Sequence, residues 1–317
     1  MELPDLVRQR ATRLGAAGTA WLNGLEDLVA ELEQRWAITV GPPLSGGSAA
    51  YVARARDAEG RDAVLKIDPP DPELGTFDRV HVLRTAGGRG YVRLLADDAE
   101  HRALLLEGLG GPLSRAGLSP ERQMGVLCDV LAQAWQVPRP SAATREQAQR
   151  KAVELGALVS SLWEKQDRPC PERVVDLALD FAEQRRAGTA LEGAVVVHGD
   201  PHPDNALRVP VPRAGARSGY VLVDPDGFLA DPAYDLGVVL RGWCTELLSG
   251  SPADAVVRAR GYCRLLASRS GLDATAIWQW GFVERVSSGL YLLELGAGEL
   301  GRQYLDSAER LASAERA

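Results

Sequence analysis

Apolar residues near the start of the chain recur with the period of a helix. Trp21, Leu22, Leu25, Leu28, Val29 and Leu32 fall on one stripe, which predicts helix over residues 1 to about 35 with that stripe buried. From Trp36 the texture changes. Trp36–Val40, Ala50–Arg56 and Asp62–Ile67 are short β-compatible runs, separated by Gly, Pro and Ser and by the turn Asp57-Ala-Glu-Gly60. Beyond Pro69-Pro-Asp-Pro72 the spacing predicts a helix from about Glu73 to Ala86, ended by Gly87-Gly88. Tyr91–Leu95 and Ala103–Glu107 read as two further strands.

The segment Glu107-Gly-Leu-Gly-Gly-Pro112 is a flexible crossing, and it places a domain boundary between 107 and 108. Residues 1–107 would be a small lobe of antiparallel sheet with a leading helix, and residues 108–317 a mostly helical lobe. In the second lobe helices are expected at about 119–135, 144–164, 171–187, 233–248, 252–269, 274–296 and 300–314. A strand-loop-strand element at 194–224 interrupts them, with Pro210–Ser218 as a loose hairpin connection. The fold class is therefore α+β, in the two-lobe order of a kinase, where nucleotide lies in the cleft between lobes.

The strand-loop-strand element carries the chemistry. It reads His198-Gly-Asp-Pro-His-Pro-Asp-Asn205, then Val221-Leu-Val-Asp-Pro-Asp-Gly227, then Asp231-Pro-Ala-Tyr-Asp235-Leu236. A lone His-Gly-Asp would be an ordinary turn between buried strands. The three segments in this order fit a site that holds a metal-nucleotide and orients an attacking hydroxyl. Asp200 would accept or orient the hydroxyl proton, while Asn205 and Asp224 would give Mg²⁺ the hard oxygen ligands it prefers. Asp226 lies close enough to assist. His198 would tie backbone to backbone, Asp231-Pro232 would open a helix, and Asp235 would support the loop through its backbone N–H groups.

In the small lobe, Gly46, Gly47 and Ser48 sit between two predicted strands, where backbone N–H groups can approach phosphate. Lys66 lies in the apolar strand Ala63-Val-Leu-Lys-Ile67; a Lys there needs an anionic partner, and nucleotide phosphate would serve. Its usual companion is a carboxylate on the following helix. Arg79, Val80 and His81 occupy the place to look, so Glu73 and Asp78 are the available acids. Backbone around Glu107 and Leu109 would meet the nucleotide base.

Composition narrows the setting. Over 317 residues, 45% are hydrophobic and 25% charged, with a formal net charge of −7. That balance argues against nucleic acid or an anionic membrane as partner, since both call for a basic face, and it is compatible with a cationic substrate. The N-terminus is too polar for a signal peptide, and no run approaches the roughly 18 apolar residues of a membrane helix. Cys128, Cys170, Cys244 and Cys263 are widely spaced, so they read as reduced thiols in a cytoplasmic protein.

The motifs HGDPHPDN, LVDPDG and DPAYDL resemble those of the aminoglycoside phosphotransferases, which have a protein-kinase-like fold. Trp21-Leu-Asn-Gly-Leu25, Trp36-Ala-Ile38, Ala63–Ile67, Gly88–Leu95 and Leu104–Glu107 resemble the branch of streptomycin 6-phosphotransferases, or aminoglycoside/hydroxyurea kinases. The resemblance implies ATP- and Mg²⁺-dependent phosphorylation of a hydroxyl on a small molecule, with Asp200 as the catalytic Asp, Asn205 and Asp224 as metal ligands and Lys66 on the nucleotide phosphates. A cationic acceptor would call for acids and aromatics: His202, Asp231, Trp243 and Glu284 are the candidates. Trp278, Phe282, Val286, Leu290 and Leu293 fit a buried helical stripe instead. A metabolic sugar or amino-alcohol kinase remains the alternative. A non-catalytic nucleotide-binding protein would have no need to keep Lys66, Asp200, Asn205 and Asp224 together.

Overall fold

The computed structural model describes residues 3–44, 50–71 and 76–313, without the side chains of Leu6, Thr76, Phe77 and Asp78. Two compact units emerge. One comprises Met1–Gly111 with Leu207–Val223, the other Pro112–Ala206 with Asp224–Ala317. The sequence reading had given 207–223 to the helical lobe.

In the first unit the leading helical stretch is two helices, α1 (Asp5–Arg13) and α2 (Gly15–Trp36). They break because Gly15 adopts φ +64°, through which no right-handed helix continues. The apolar stripe of α2 is buried at Leu25, Val29 and Leu32 and half-buried at Trp21, Leu22 and Leu28. Leu25, Val29 and Leu32 pack with Tyr51, Ala53, Leu65, Ile67 and Ala103 of the sheet. The sheet holds β1 (Ile38–Pro43), β2 (Tyr51–Asp57), β3 (Asp62–Ile67), β4 (Leu94–Asp98) and β5 (Ala103–Glu107) in the order β1-β2-β3-β5-β4. Every neighbouring pair is antiparallel. Central β3 sets Lys66 opposite Val52 and Leu104.

Helix α3 (Thr76–Ala86) ends at Gly87 as predicted. The strand predicted at Tyr91–Leu95 instead begins at Leu94. Tyr91 forms a parallel bridge to Leu222, and the Val92 N–H donates to the Leu222 carbonyl at 2.9 Å. The backbone groups of 90–92 are thus already spent on the later hairpin of the same unit. That hairpin, β7 (Ala206–Arg208) with β8 (Tyr220–Leu222), is not loosely connected. Arg213 donates to the carbonyls of Gly88 and Tyr91 and to the Glu107 carboxylate.

The second unit is helical apart from β6 (Val195–Val196) and β9 (Leu229–Ala230), which pair antiparallel. Its helices are α4 (Pro120–Ala134), α5 (Arg145–Lys165), α6 (Glu172–Gly188), α7 (Ala233–Arg241), α8 (Cys244–Leu248), α9 (Pro252–Ser270), α10 (Ala274–Glu294) and α11 (Gly298–Ala312). Side chains set their starts. Thr144 with Gln147 and Ser251 with Asp254 form reciprocal capping boxes, and Asp273 accepts two N–H groups at the head of α10. Helix α10 is the axis, packed by α5, α6, α7, α9 and α11. Its stripe of Trp278, Phe282, Val286 and Leu290 is buried. Helices α7 and α10 meet at glycines: a Cβ on Gly237 would run into Trp280, and one on Gly281 into Leu240.

The helix predicted over 233–248 splits into α7 and α8. Gly242 is extended and Trp243 is left-handed with φ 64°. The buried Arg285 guanidinium rewards the break. It donates to the Leu240 and Gly242 carbonyls at 2.8 and 3.0 Å and to Ser307 Oγ at 2.8 Å, replacing helical partners those carbonyls lose. All four cysteines are buried and unpaired with one another. Among the described residues no helix is long and apolar enough to cross a membrane.

Candidate functional site

The loop after β6 is built on Asp235, in the first turn of α7. Its carboxylate accepts the His198 N–H at 2.9 Å, the Gly199 N–H at 2.9 Å and the Trp135 Nε1–H at 2.8 Å. Asp235 is fully buried; burial pushes its carboxyl up to about 6 against the pull of those three donors. His198 is buried too, and its Nδ1 accepts the Asp200 N–H at 3.1 Å, which leaves the ring proton on Nε2. Gly199 has φ +97°, and a Cβ there would lie 2.6 Å from Asp226 Oδ2 and 2.9 Å from the Phe228 ring. The sequence HGD is thus a buried histidine, an obligatory glycine and a presented carboxylate.

That carboxylate meets one guanidinium and one imidazole. Arg241, the last residue of α7, donates Nη2–H to Asp200 Oδ1, and His202 Nε2 lies 3.4 Å from Oδ2. Burial alone would push the Asp200 carboxyl up. The His202 hydrogen bond and the Arg241 charge outweigh it and hold the group well below the usual carboxylate range. Arg241 Nη1 reaches Glu284 Oε2 at 2.7 Å, and the Tyr234 hydroxyl donates to Glu284 Oε1 at 2.6 Å. Sequence reasoning passed over Tyr234 and Arg241. Their signal was present: seven residues apart, they share a face of a helix opened by Asp231-Pro232.

Asn205 Nδ2 donates to the Asp200 carbonyl at 2.9 Å, leaving its side-chain oxygen as the acceptor available to a ligand. Asp224 follows the hairpin with φ 56°, a left-handed conformation that Asp, like Asn, adopts more readily than most residues. Among the described residues no group of three or more His, Cys, Asp or Glu is arranged to hold a metal ion.

Within the second unit a cavity of about 640 Å³ is lined by Asp200, His202, Trp243 and Glu284, all singled out from the sequence, and also by Lys151, Asp226 and Arg241. Lys151 Nζ lies 5.2 Å from the Phe228 ring centre and 5.8 Å from that of Tyr234. Asp231 does not line this cavity. Its Oδ1 accepts the Ala233 N–H at 2.9 Å and its Oδ2 accepts from Trp280 Nε1 at 3.3 Å, which fits the helix-opening role expected of Asp231-Pro232. Glu284 lines the cavity with both oxygens already engaged.

In the first unit Lys66 is buried with its Nζ 3.9 Å from Asp68 Oδ1, and Asp68 Oδ2 accepts from Arg79 Nη1 at 2.8 Å. The carboxylate beside Lys66 thus comes from the end of its own strand, which sequence reasoning did not consider. Glu73 and the side chain of Asp78 lie outside the described residues, as do Gly46, Gly47 and Ser48. Glu107 Oε1 accepts the Arg93 N–H at 2.9 Å as well as Arg213, and Leu109 packs on Val209, Ala216 and Val221.

The sequence model of the aminoglycoside/hydroxyurea antibiotic resistance kinases matches residues 35–296. Streptomycin 6-kinase of Streptomyces griseus is 31% identical over 317 residues, covering 98% of this chain and 97% of that protein. Hydroxyurea phosphotransferase of Kitasatospora aureofaciens is 30% identical over 275 residues, 83% of this chain and 77% of the other. Among solved structures, a spectinomycin phosphotransferase in complex with ADP and spectinomycin aligns with a TM-score of 0.52 at 16% identity, covering 91% of this chain and 93% of that one. Likeness at that identity speaks to the fold alone, and the fold is the kinase-like α+β one expected from the sequence.

Proposed function

Because the chain belongs to the aminoglycoside/hydroxyurea antibiotic resistance kinase family, we propose that it is a cytoplasmic enzyme that moves the γ-phosphate of ATP to a hydroxyl of a streptomycin-type aminoglycoside. The observation that carries this reading is the Asp200 carboxylate, held ionised at the wall of a cavity of about 640 Å³. The acceptor hydroxyl donates to that carboxylate. Its oxygen bonds to the γ-phosphorus as the bond to the leaving ADP oxygen breaks. The hydroxyl proton passes to the Asp200 carboxylate as the phosphoryl group is transferred, and the ion pair with Arg241, which lowers the basicity of that carboxylate, makes orientation the larger part of its work.

Lys66 would contact the nucleotide phosphates, with the backbone at Gly46, Gly47 and Ser48 beside them and backbone near Glu107 and Leu109 at the base. Asn205 and Asp224 would hold Mg²⁺. Two protein oxygens are what this ion usually takes alongside waters and phosphates, and the Asn205 amide nitrogen is already committed to the Asp200 carbonyl. When bound, Mg²⁺ neutralises charge on the transferred group. A cationic acceptor suits the exposed Asp204 and Asp226 at the cavity, with Trp243 and His202 as contacts.

The test is a turnover assay at fixed Mg·ATP over streptomycin, other aminoglycosides, hydroxyurea, sugars and amino alcohols, with the product weighed by mass spectrometry. Streptomycin gaining one phosphoryl group supports the reading. Turnover confined to sugars or amino alcohols overturns it.

A further inference from the structure

A single file of side chains runs from the core to Asp200. The Tyr234 hydroxyl donates to Glu284 Oε1, Glu284 Oε2 accepts from Arg241 Nη1, and Arg241 Nη2 donates to Asp200 Oδ1. The far end is buried and packed. Tyr234 is 1% exposed and packs edge-on against Trp280, with ring centres 5.1 Å apart, and against Phe228 at 5.4 Å. Glu284 is 3% exposed on α10. The near end is a carboxylate whose side chain is 38% exposed. The guanidinium between them is planar, with one arm on each carboxylate, so the orientation of Glu284 is passed on to Asp200. The base of Arg241 is fixed as well: Arg285 ties down the carbonyls on either side of it, at Leu240 and Gly242.

We propose that Arg241 is a positioning residue, clamped by Glu284 and Tyr234, that sets the Asp200 carboxylate for the acceptor hydroxyl, and that Glu284 serves this clamp rather than the acceptor. The inference rests on Asp200 being the catalytic carboxylate. It makes a prediction opposite to that of a substrate-binding Glu284. A lost contact to bound acceptor raises KM, whereas a misaimed Asp200 lowers kcat with acceptor affinity intact.

Arg241→Ala and Glu284→Gln are compared with the wild type on whichever acceptor turns over. Expected are kcat losses of about 100-fold for Arg241→Ala and about tenfold for Glu284→Gln, with acceptor KM within about twofold in both. Guanidinium ion at non-denaturing concentration should restore part of the Arg241→Ala kcat and none of that of Asp200→Ala. Arg241→Lys should stay impaired, because one ammonium cannot span two carboxylates as the fork does. A raised acceptor KM with unchanged kcat overturns the proposal. A crystal structure of Arg241→Met decides it without any acceptor: an Asp200 side chain in a new rotamer on an unchanged 198–205 backbone supports it, and an unmoved Asp200 overturns it. Should the wild type phosphorylate nothing, the proposed function fails and the crystal structure still decides the clamp.

Discussion

Asp200 and Asp235 are two aspartates attached to one loop, and they have opposite acidities. Asp235 accepts three N–H groups, all from neutral donors, in full burial, and its carboxyl is pushed up to about 6. Asp200 keeps a partly exposed side chain beside His202 and the Arg241 guanidinium, and its carboxyl is driven well below the ordinary range. Hydrogen-bond number does not separate them. What separates them is the Arg241 charge beside Asp200 set against the desolvation of each acceptor. One carboxylate is a strut for the backbone; the other is an instrument pointed at the cavity.

The sharpest way to break this contrast is to delete each in turn. Asp200→Ala should lower kcat by about 1,000-fold or more while leaving nucleotide affinity by calorimetry within about threefold. Near wild-type turnover would remove Asp200 from the reaction. Asp235→Ala should instead act on folding. It strands the His198 and Gly199 amides in a dry interior, for a loss on the order of 3 kcal/mol in denaturant unfolding. A variant with wild-type stability would show that the loop does not depend on this strut.

Titration separates the two next. A carboxyl whose folded pKa lies above its unfolded value of about 3.9 lends stability below that value and loses it as pH rises through about 6. Stability should therefore decline between about pH 4 and pH 6 by roughly 2 kcal/mol from this group, and the decline should vanish in Asp235→Asn. An identical pH profile for that variant would disprove the assignment. The smallest change is expected at Asp231. Asp231→Asn keeps an acceptor at the head of α7, so stability should fall by less than about 1 kcal/mol and acceptor KM should hold within about twofold. A several-fold rise in KM would place Asp231 at the acceptor site.

Much of this molecule was legible in the sequence, because local rules govern those parts. The stripe of α2, the strand pattern of β1 to β3 and β5, and the buried face of α10 follow from periodicity. The loop from His198 to Asn205 announced itself through residue types that few other arrangements require. What escaped depends on convergence. Arg241 and Glu284 are 43 residues apart and meet only because α7 lies on α10. Asp68 was overlooked beside Lys66 because the expected partner was sought on a helix rather than at the end of the same strand. The break at Trp243 was hidden because a left-handed tryptophan carries no sequence signal of the kind a glycine gives. Arg213 lay in a stretch whose proline and glycine content read as slack, although its guanidinium pins three groups of the first unit.

The glycine contact between α7 and α10 has an evolutionary consequence. With no room for even a methyl group at Gly237 or Gly281, the two helices cannot be shimmed apart to admit a bulkier guest. Arg241 and Glu284 ride on those same helices, so any spreading would also slacken the grip on Asp200. Descendants of this chain that switch antibiotics must therefore do so by repainting the cavity wall, at positions such as Ser287, Ser288, Tyr291 and Leu292, while the scaffold behind it stands still.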